Sequence, residues 1–154
     1  MSGPVRQVDV PADARALSTL HRIDYEDAFL VDVPAQEKTA EQWARALLED
    51  APIKVRSTLL SGWSAIGLKL GGGRPGRSVL GWKVRRSSPD FVLLAAESRI
   101  GMPGQLLFQR RGQTLLFATF VQQQNQIARA VWAGVEPVHV PTVRRLLEQA
   151  RRRT

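Results

Sequence analysis

The chain has no cysteine and no apolar run long enough to cross a membrane. The lack of thiols excludes disulfides, thiol catalysis and cysteine-based zinc sites. The longest apolar stretches, Phe91–Ala96 and Leu115–Val121, have the size of strands and are far shorter than the ~20 residues of a spanning helix. Met1–Val10 carries Arg6 and Asp9 and lacks the apolar core of a secretory signal, so we expect a cytoplasmic protein without a membrane span.

Histidine is also scarce, because the chain contains only His21 and His139. Two distant imidazoles without clustered carboxylates do not form a metal site, and we expect neither a metal nor another cofactor. His139 either acts as a general base or bonds to the backbone where the last strand is predicted to meet the last helix. Glu97 and Arg99 share one face of a predicted strand, where they either orient a polar ligand group or face solvent. No residue is assigned as catalytic.

The net charge of +8 and the isoelectric point near 11.2 are typical of proteins with polyanionic partners. The arginines, however, are spread along the chain: they lie at Arg74 and Arg77, at Arg110–Arg111, at Arg144–Arg145 and at Arg151–Arg153. This spread indicates solvated loops and a helix C-terminus, where cations complement the helix dipole. Nucleic acid is therefore not favoured as a partner.

The segment Gly71–Ser78 has the glycine spacing of a phosphate-binding loop. Such loops follow a strand and begin a helix, whereas this segment follows a predicted helix and precedes a predicted strand. Arg77 stands in place of the loop lysine, and Pro75 removes a backbone donor. We therefore interpret the segment as a connector or as a loop that gates a ligand site.

The hydrophobic period changes twice along the chain. It is near 3.6 between Trp43 and Leu70, near 2 after Gly76, and near 3.6 again in the stripe that contains Leu146 and Leu147. The chain is predicted to begin with an arm over residues 1–20 that has a short helix at Ala12–Leu20, followed by a strand at Tyr25–Pro34 that Pro34 ends. Two helices come next: one begins at Thr39, where Gln42 completes a capping box, and the other runs from Pro52 to Leu70. The rest of the chain is predicted to form a helix from Pro137 to Arg152, preceded by the strands Val79–Arg86, Phe91–Ser98, Gln105–Arg110, Leu115–Gln122 and Gln126–Ala133.

Short connections between these strands imply antiparallel neighbours. The order predicts a single α+β domain over residues 1–154. In this domain a curved antiparallel sheet wraps around a long C-terminal helix, and two helices are inserted after the first strand.

The end of the chain carries a family resemblance. It reads Ala128-Arg129-Ala130-Val131-Trp132, then Glu136-Pro137-Val138-His139, then a helix. With the element order, this resembles a bacterial branch of the START-like helix-grip superfamily, the SRPBCC group of polyketide cyclases and lipid-transfer proteins. The resemblance covers roughly Tyr25 to Arg152. It implies a cavity between sheet and last helix that takes a hydrophobic small molecule or a lipid. Some members are cyclases or hydrolases, but no catalytic motif common to the superfamily can be carried over.

These observations favour a non-enzymatic protein that binds or transports a hydrophobic small molecule or lipid. A cyclase- or hydrolase-type enzyme that uses His139 or Glu97 is the alternative, and a basic interaction module is the second alternative. The sequence leaves the oligomeric state open between monomer and homodimer. Aromatic residues either pack the core or line a ligand site. The predicted ligand-binding residues are Trp63, Trp82, Phe108, Phe117, Trp132 and His139.

Overall fold

The protein, described here from a computed structural model that covers residues 5–33, 38–71 and 77–153, is an α+β structure with the helix-grip arrangement. Pro34 and the glycine-rich residues 72–76 lie outside the described residues. The strands are β1 (Arg6–Val8), β2 (Tyr25–Asp32), β3 (Leu68–Lys69), β4 (Ser78–Val79), β5 (Trp82–Ser87), β6 (Phe91–Ser98), β7 (Gly104–Arg111) and β8 (Thr114–Val121), and the helices are α1 (Ala12–Arg15), α2 (Ala40–Leu48), α3 (Ile53–Ala65) and α4 (Gln126–Arg153).

The strands form one curved antiparallel sheet in the order β1-β2-β8-β7-β6-β5-β4, and β3 pairs with β6. The pairing of β2 with β8 joins the early part of the chain to the end of the meander. The two inserted helices, α2 and α3, follow the strand that was predicted from Tyr25, which is β2 because a short strand precedes it. The missed strand, β1, has only three residues and is mostly exposed, and so short a segment carries no hydrophobic period.

Both faces of the sheet are covered, which explains why β8 is buried from Leu115 to Val121. Phe117 and its alternate neighbours pack on the inner face, toward α2 and α4. Leu116 and Phe120 point to the outer face, where Val10 and Ala14 from the N-terminal segment cover them. The segment predicted as a peripheral arm thus supplies an edge strand and an apolar cover.

The predicted capping box of α2 is confirmed. The Gln42 backbone N–H donates to the Thr39 hydroxyl at 3.2 Å, and the Thr39 backbone N–H donates to the Gln42 side-chain oxygen at 2.8 Å. Trp43 and Leu47 from this helix are buried on the inner face of the sheet. A defined start to α2 therefore places its apolar side against the strands.

The predicted strand over Gln126–Ala133 was wrong, because this segment is the first part of α4. The Asn125 side chain accepts a hydrogen bond from the Ala128 N–H at 2.8 Å, as an N-cap residue does. Buried or half-buried residues recur in helical steps through Ala128, Trp132, Val135 and His139. The helical period thus begins well before Val140, and Trp132 lies on the helix and not on a last strand.

Two prolines inside α4 explain why the helix was predicted to begin only at Pro137. Pro137 and Pro141 each lack a backbone N–H, which removes helical partners from the carbonyls of Ala133 and Pro137. Both of these residues are exposed, so solvent can bond to the freed carbonyls. Pro137 was therefore taken for a helix start although the helix passes through it. In the described ranges no helix, including the 28-residue α4, is both long and apolar enough to cross a membrane.

Candidate functional site

A cavity of about 310 Å³ lies between the inner face of the sheet, α3 and α4. Its sheet wall includes Trp82 and Phe117, and α3 contributes Leu59 and Trp63. Nearly all of its lining is apolar, and among the described residues that line it His139 alone is titratable. The volume is at the lower end of the range of roughly 300–1,000 Å³ that is usual for small-molecule sites.

Five of the six residues predicted to bind a ligand line this cavity: Trp63, Trp82, Phe117, Trp132 and His139. The sixth, Phe108, does not line it. Phe108 is fully buried and stacks on Phe117, with ring centroids 4.5 Å apart and planes 7° from parallel. Trp63 meets Trp82 edge to face at 5.4 Å. Phe108 is the register partner of Phe117 on the same face of the sheet and therefore flanks the aromatic wall.

Two glycines lie at the opening of the cavity between α3 and α4. Gly62 and Gly134 both line the cavity and are both exposed, and a Cβ added at either position would have no atom within 4 Å. Val138 lines the same opening and is 64% exposed. The missing side chains leave a passage from solvent to the apolar interior.

A buried polar cluster lies beside this cavity, between β2 and α4. The Tyr25 hydroxyl donates to Asp27 Oδ2 at 2.6 Å, and the Asp27 side chain is only 2% exposed. His139 Nε2 lies 3.0 Å from the same oxygen, but the two atoms are not aligned as a hydrogen bond. His139 thus faces a carboxylate from the middle of a continuous helix, and the strand-to-helix junction expected there does not exist.

Tyr25 and Asp27 were not identified from the sequence as site residues. They alternate along β2 and therefore share its inner face. Aspartate is depleted in strands, so Asp27 in alternation with the apolar Phe29 and Val31 was the signal that could have found them. Its partner His139 is 112 positions away in the chain, and only the fold brings the two together.

Three rings pack together beside Asp27. The Tyr25 and Trp132 centroids are 4.7 Å apart, those of Trp132 and His139 5.2 Å, and those of Tyr25 and His139 6.0 Å. This apolar packing excludes water from the carboxylate. It also places the indole of Trp132 next to the polar cluster.

Several polar atoms at the site are buried without a hydrogen-bond partner. They include Thr119 Oγ1, Trp132 Nε1 and Asp27 Oδ1, and also Trp82 Nε1 on the sheet wall. Thr119 lies directly opposite Asp27 in the pairing of β2 with β8. Because most buried polar groups in proteins are paired, unpartnered donors on a cavity wall mark a place where a bound group would be stabilised.

Other sequence candidates lie elsewhere. Glu97 and Arg99 are exposed, and Glu97 is in register with Lys69 of β3. His21 is exposed as well. For Glu97 and Arg99 the solvent-facing alternative is thus the one observed, and of the two proposed acid–base residues only His139 reaches the cavity.

Many arginines are engaged with acidic groups or with the backbone. Arg15 pairs with Glu26, Arg22 with Asp24, Arg111 with Asp13, and Arg45 with Glu41 and Glu49. Arg144, expected in solvent, donates to the Val5 carbonyl at 2.9 Å and lies over the Phe29 ring. These pairings reduce the charge available to a polyanion.

A second groove of about 210 Å³ lies between α3 and α4. It shares Leu59, Thr142 and Leu146 with the apolar cavity, and its outer part carries Lys54 and Arg145. The two spaces are therefore neighbours with different character. One is nearly uncharged, and the other is cationic.

Burial raises the pKa of Tyr25 well above its ordinary value of 10.0, and the hydrogen bond to Asp27 raises it further. Above pH ~10 the native state therefore keeps the phenol proton, whereas the unfolded chain has lost it. This contribution to stability is complete below pH ~10 and declines as the pH rises above it.

Because Tyr25 is the only tyrosine, tyrosinate absorbance reports this group alone. We expect no tyrosinate signal in an alkaline titration until circular dichroism shows unfolding, and an earlier onset in Asp27→Asn. A tyrosinate transition near pH 10 in the folded protein would contradict the buried hydrogen bond.

Within the described residues, no group of three histidine or carboxylate side chains is placed to hold a metal ion. The site is built from one carboxylate, one imidazole, hydroxyls and indoles. In comparisons with known proteins, no family model and no curated protein matches the chain.

Proposed function

We propose that the protein binds or transports a compact hydrophobic small molecule in the cavity between the sheet, α3 and α4. The observation that carries the proposal is an open apolar cavity of about 310 Å³ that ends in a buried polar cluster. A core selected for stability alone would fill such a space, since buried voids forfeit packing energy. The resemblance to the START-like helix-grip superfamily agrees with this use of the fold.

The size of the cavity favours one class of ligand. Apolar cavities of about 150 Å³ hold a benzene-sized molecule, so this one suits a compound with about two rings or a short acyl chain. A lipid with two long chains would need more room than the walls provide. The ligand class is therefore a compact apolar molecule.

The first test is binding of indane, a compact two-ring hydrocarbon, followed by the four tryptophan indole N–H signals in NMR spectra. We expect saturable shifts of Trp82 and Trp132 with a Kd below about 1 mM, which corresponds to about −4 kcal/mol. Failure of indane and of related apolar compounds to bind in this range would contradict the proposed function.

Gly134→Trp tests the opening. The bulky side chain would cover the passage beside Gly62, and we expect indane affinity to fall by about tenfold. Gly134→Ala should bind normally and gain about 0.5–1 kcal/mol of stability, because alanine favours the helix. The matched control is Ala133→Trp, which adds the same bulk at an exposed neighbour that does not line the cavity. Equal binding by both tryptophan variants would contradict access at Gly134.

Acid–base catalysis by His139 is a second candidate function, favoured by its 3.0 Å contact with Asp27. A carboxylate that faces an imidazole orients the ring for proton transfer. The test is incubation with oxygenated two-ring compounds, followed by mass spectrometry of the recovered compound. A chemical change that is lost in His139→Gln, with binding retained, would favour the enzyme. Unchanged compound would favour the binding protein.

A further inference from the structure

We infer that the polar end of the cavity recognises a neutral carbonyl oxygen on the ligand, with the Trp132 indole N–H and the Thr119 hydroxyl as its two hydrogen-bond donors. This inference rests on the proposed function and names the chemical group that an apolar ligand would carry.

The first step is that both donors are buried and have no hydrogen-bond partner. Trp132 and Thr119 are each 5% exposed, both line the cavity, and neither Nε1 of Trp132 nor Oγ1 of Thr119 has a hydrogen-bond partner. An indole is a donor only, so a group that satisfies it must present an acceptor. Two buried donors without partners, one on the sheet and one on α4, indicate an acceptor that arrives with the ligand.

The second step is their location, since both residues lie beside Asp27. Thr119 is the register partner of Asp27, which places their Cβ atoms roughly 4.5–5.5 Å apart. The Trp132 ring packs against the His139 ring, with centroids 5.2 Å apart, and His139 Nε2 contacts the Asp27 carboxylate. Trp132 is therefore also close to Asp27. The two donors therefore belong to one end of the cavity.

The third step is the charge of the ligand group. A carboxylate bound here would lie close to the buried Asp27 carboxylate, and no lysine or arginine is found among the described lining residues. Burying a second anion without a cation is costly. Lys54 and Arg145 lie in the neighbouring groove instead. The charge distribution thus favours a neutral group.

The fourth step separates a carbonyl from an alcohol. A carbonyl oxygen has two lone pairs and can accept from both donors at once, with no proton of its own to place. An alcohol would need an additional acceptor on the cavity wall. Asp27 Oδ1 is unpartnered but does not belong to the lining residues, and Nε2 of the lining residue His139 faces Asp27 Oδ2 at 3.0 Å. A ketone, ester or lactone carbonyl therefore matches the donors best.

The test compares three compounds that share a two-ring skeleton: indane, indanone and indane carboxylate. We expect indanone to bind about tenfold more tightly than indane, the gain of one well-made hydrogen bond, and indane carboxylate to bind more weakly than indanone. The Trp132 indole proton should move downfield with indanone but not with indane. Assignment of this signal comes from its loss in Trp132→Phe.

The variants separate recognition from packing. In Thr119→Val and in Trp132→Phe, the preference for indanone over indane should shrink to less than about threefold while indane still binds. Trp82→Phe is the matched control, because it changes the same type of side chain on the sheet wall and should weaken both compounds equally. If all three compounds fail to bind, the proposed function itself is wrong.

If indane binds and indanone gains nothing, the donors are satisfied by water and the inference is overturned. Tighter binding of indane carboxylate, or a ketone preference that is lost only in Trp82→Phe, would overturn it as well.

Discussion

Leu147→Ala should lower the free energy of unfolding by roughly 2–5 kcal/mol, which is the cost of removing a fully buried leucine from a site that relaxes poorly. Leu147 is 0% exposed and packs in the main core between α4 and the sheet. The apolar stripe of α4 is buried against both α2 and the sheet, and Leu147 lies in the cluster that joins them. Urea denaturation followed by circular dichroism measures the change.

Leu146→Ala provides the internal comparison. Leu146 is also buried, but it lines both the apolar cavity and the cationic groove. Since part of its surface already faces empty space, its removal forfeits fewer contacts, and the loss should be smaller than for Leu147→Ala. Leu146→Ala should also enlarge the cavity and favour bulkier ligands. A loss well under about 1 kcal/mol for both variants would show that α4 is not docked as described.

Asp27→Ala should destabilise the protein by about 1–3 kcal/mol, because it leaves the half-buried Tyr25 hydroxyl without its acceptor. The same change removes the negative charge that faces His139 at 3.0 Å. The measurement is again chemical denaturation, now in a double-mutant cycle with Tyr25→Phe, which isolates the energy of the pair.

Asp32→Ala is the matched control for Asp27→Ala. It removes the same side chain from the same strand, but Asp32 is 36% exposed and lies 3.8 Å from the exposed Arg6. Such a surface pair contributes less than about 1 kcal/mol. Equal losses for the two aspartate variants, or no coupling between Tyr25 and Asp27, would refute a structural role for the buried cluster.

Local patterns in the sequence determined most of the fold. The short apolar runs in Phe91–Ser98 and Leu115–Val121 identified strands, because a strand that is covered on both faces is apolar along most of its length. Thr39 and Gln42 identified the start of α2, because the capping box is satisfied within four residues. Each of these signals depends on neighbours in the chain.

The errors arose where a rule about local sequence did not hold in the tertiary structure. Pro137 usually begins a helix, but in α4 it lies inside one, on an exposed face where water can replace the lost bond. The helical recurrence of Ala128, Trp132 and Val135 was already present in the sequence. This recurrence was given less weight than Pro137, which was taken as the start of the helix.

The sequence by itself determined the α+β class, the aromatic residues available for a ligand and the limits on chemistry set by the absence of cysteine. Only the tertiary structure decided that Asp27 faces His139, that Thr119 lies opposite Asp27, and that Gly62 and Gly134 leave the cavity open. The physical reason is that strand register and helix docking set which distant side chains meet. A filled core and a hollow one can be built from the same apolar residues, so the cavity too depended on how α3 and α4 pack on the sheet.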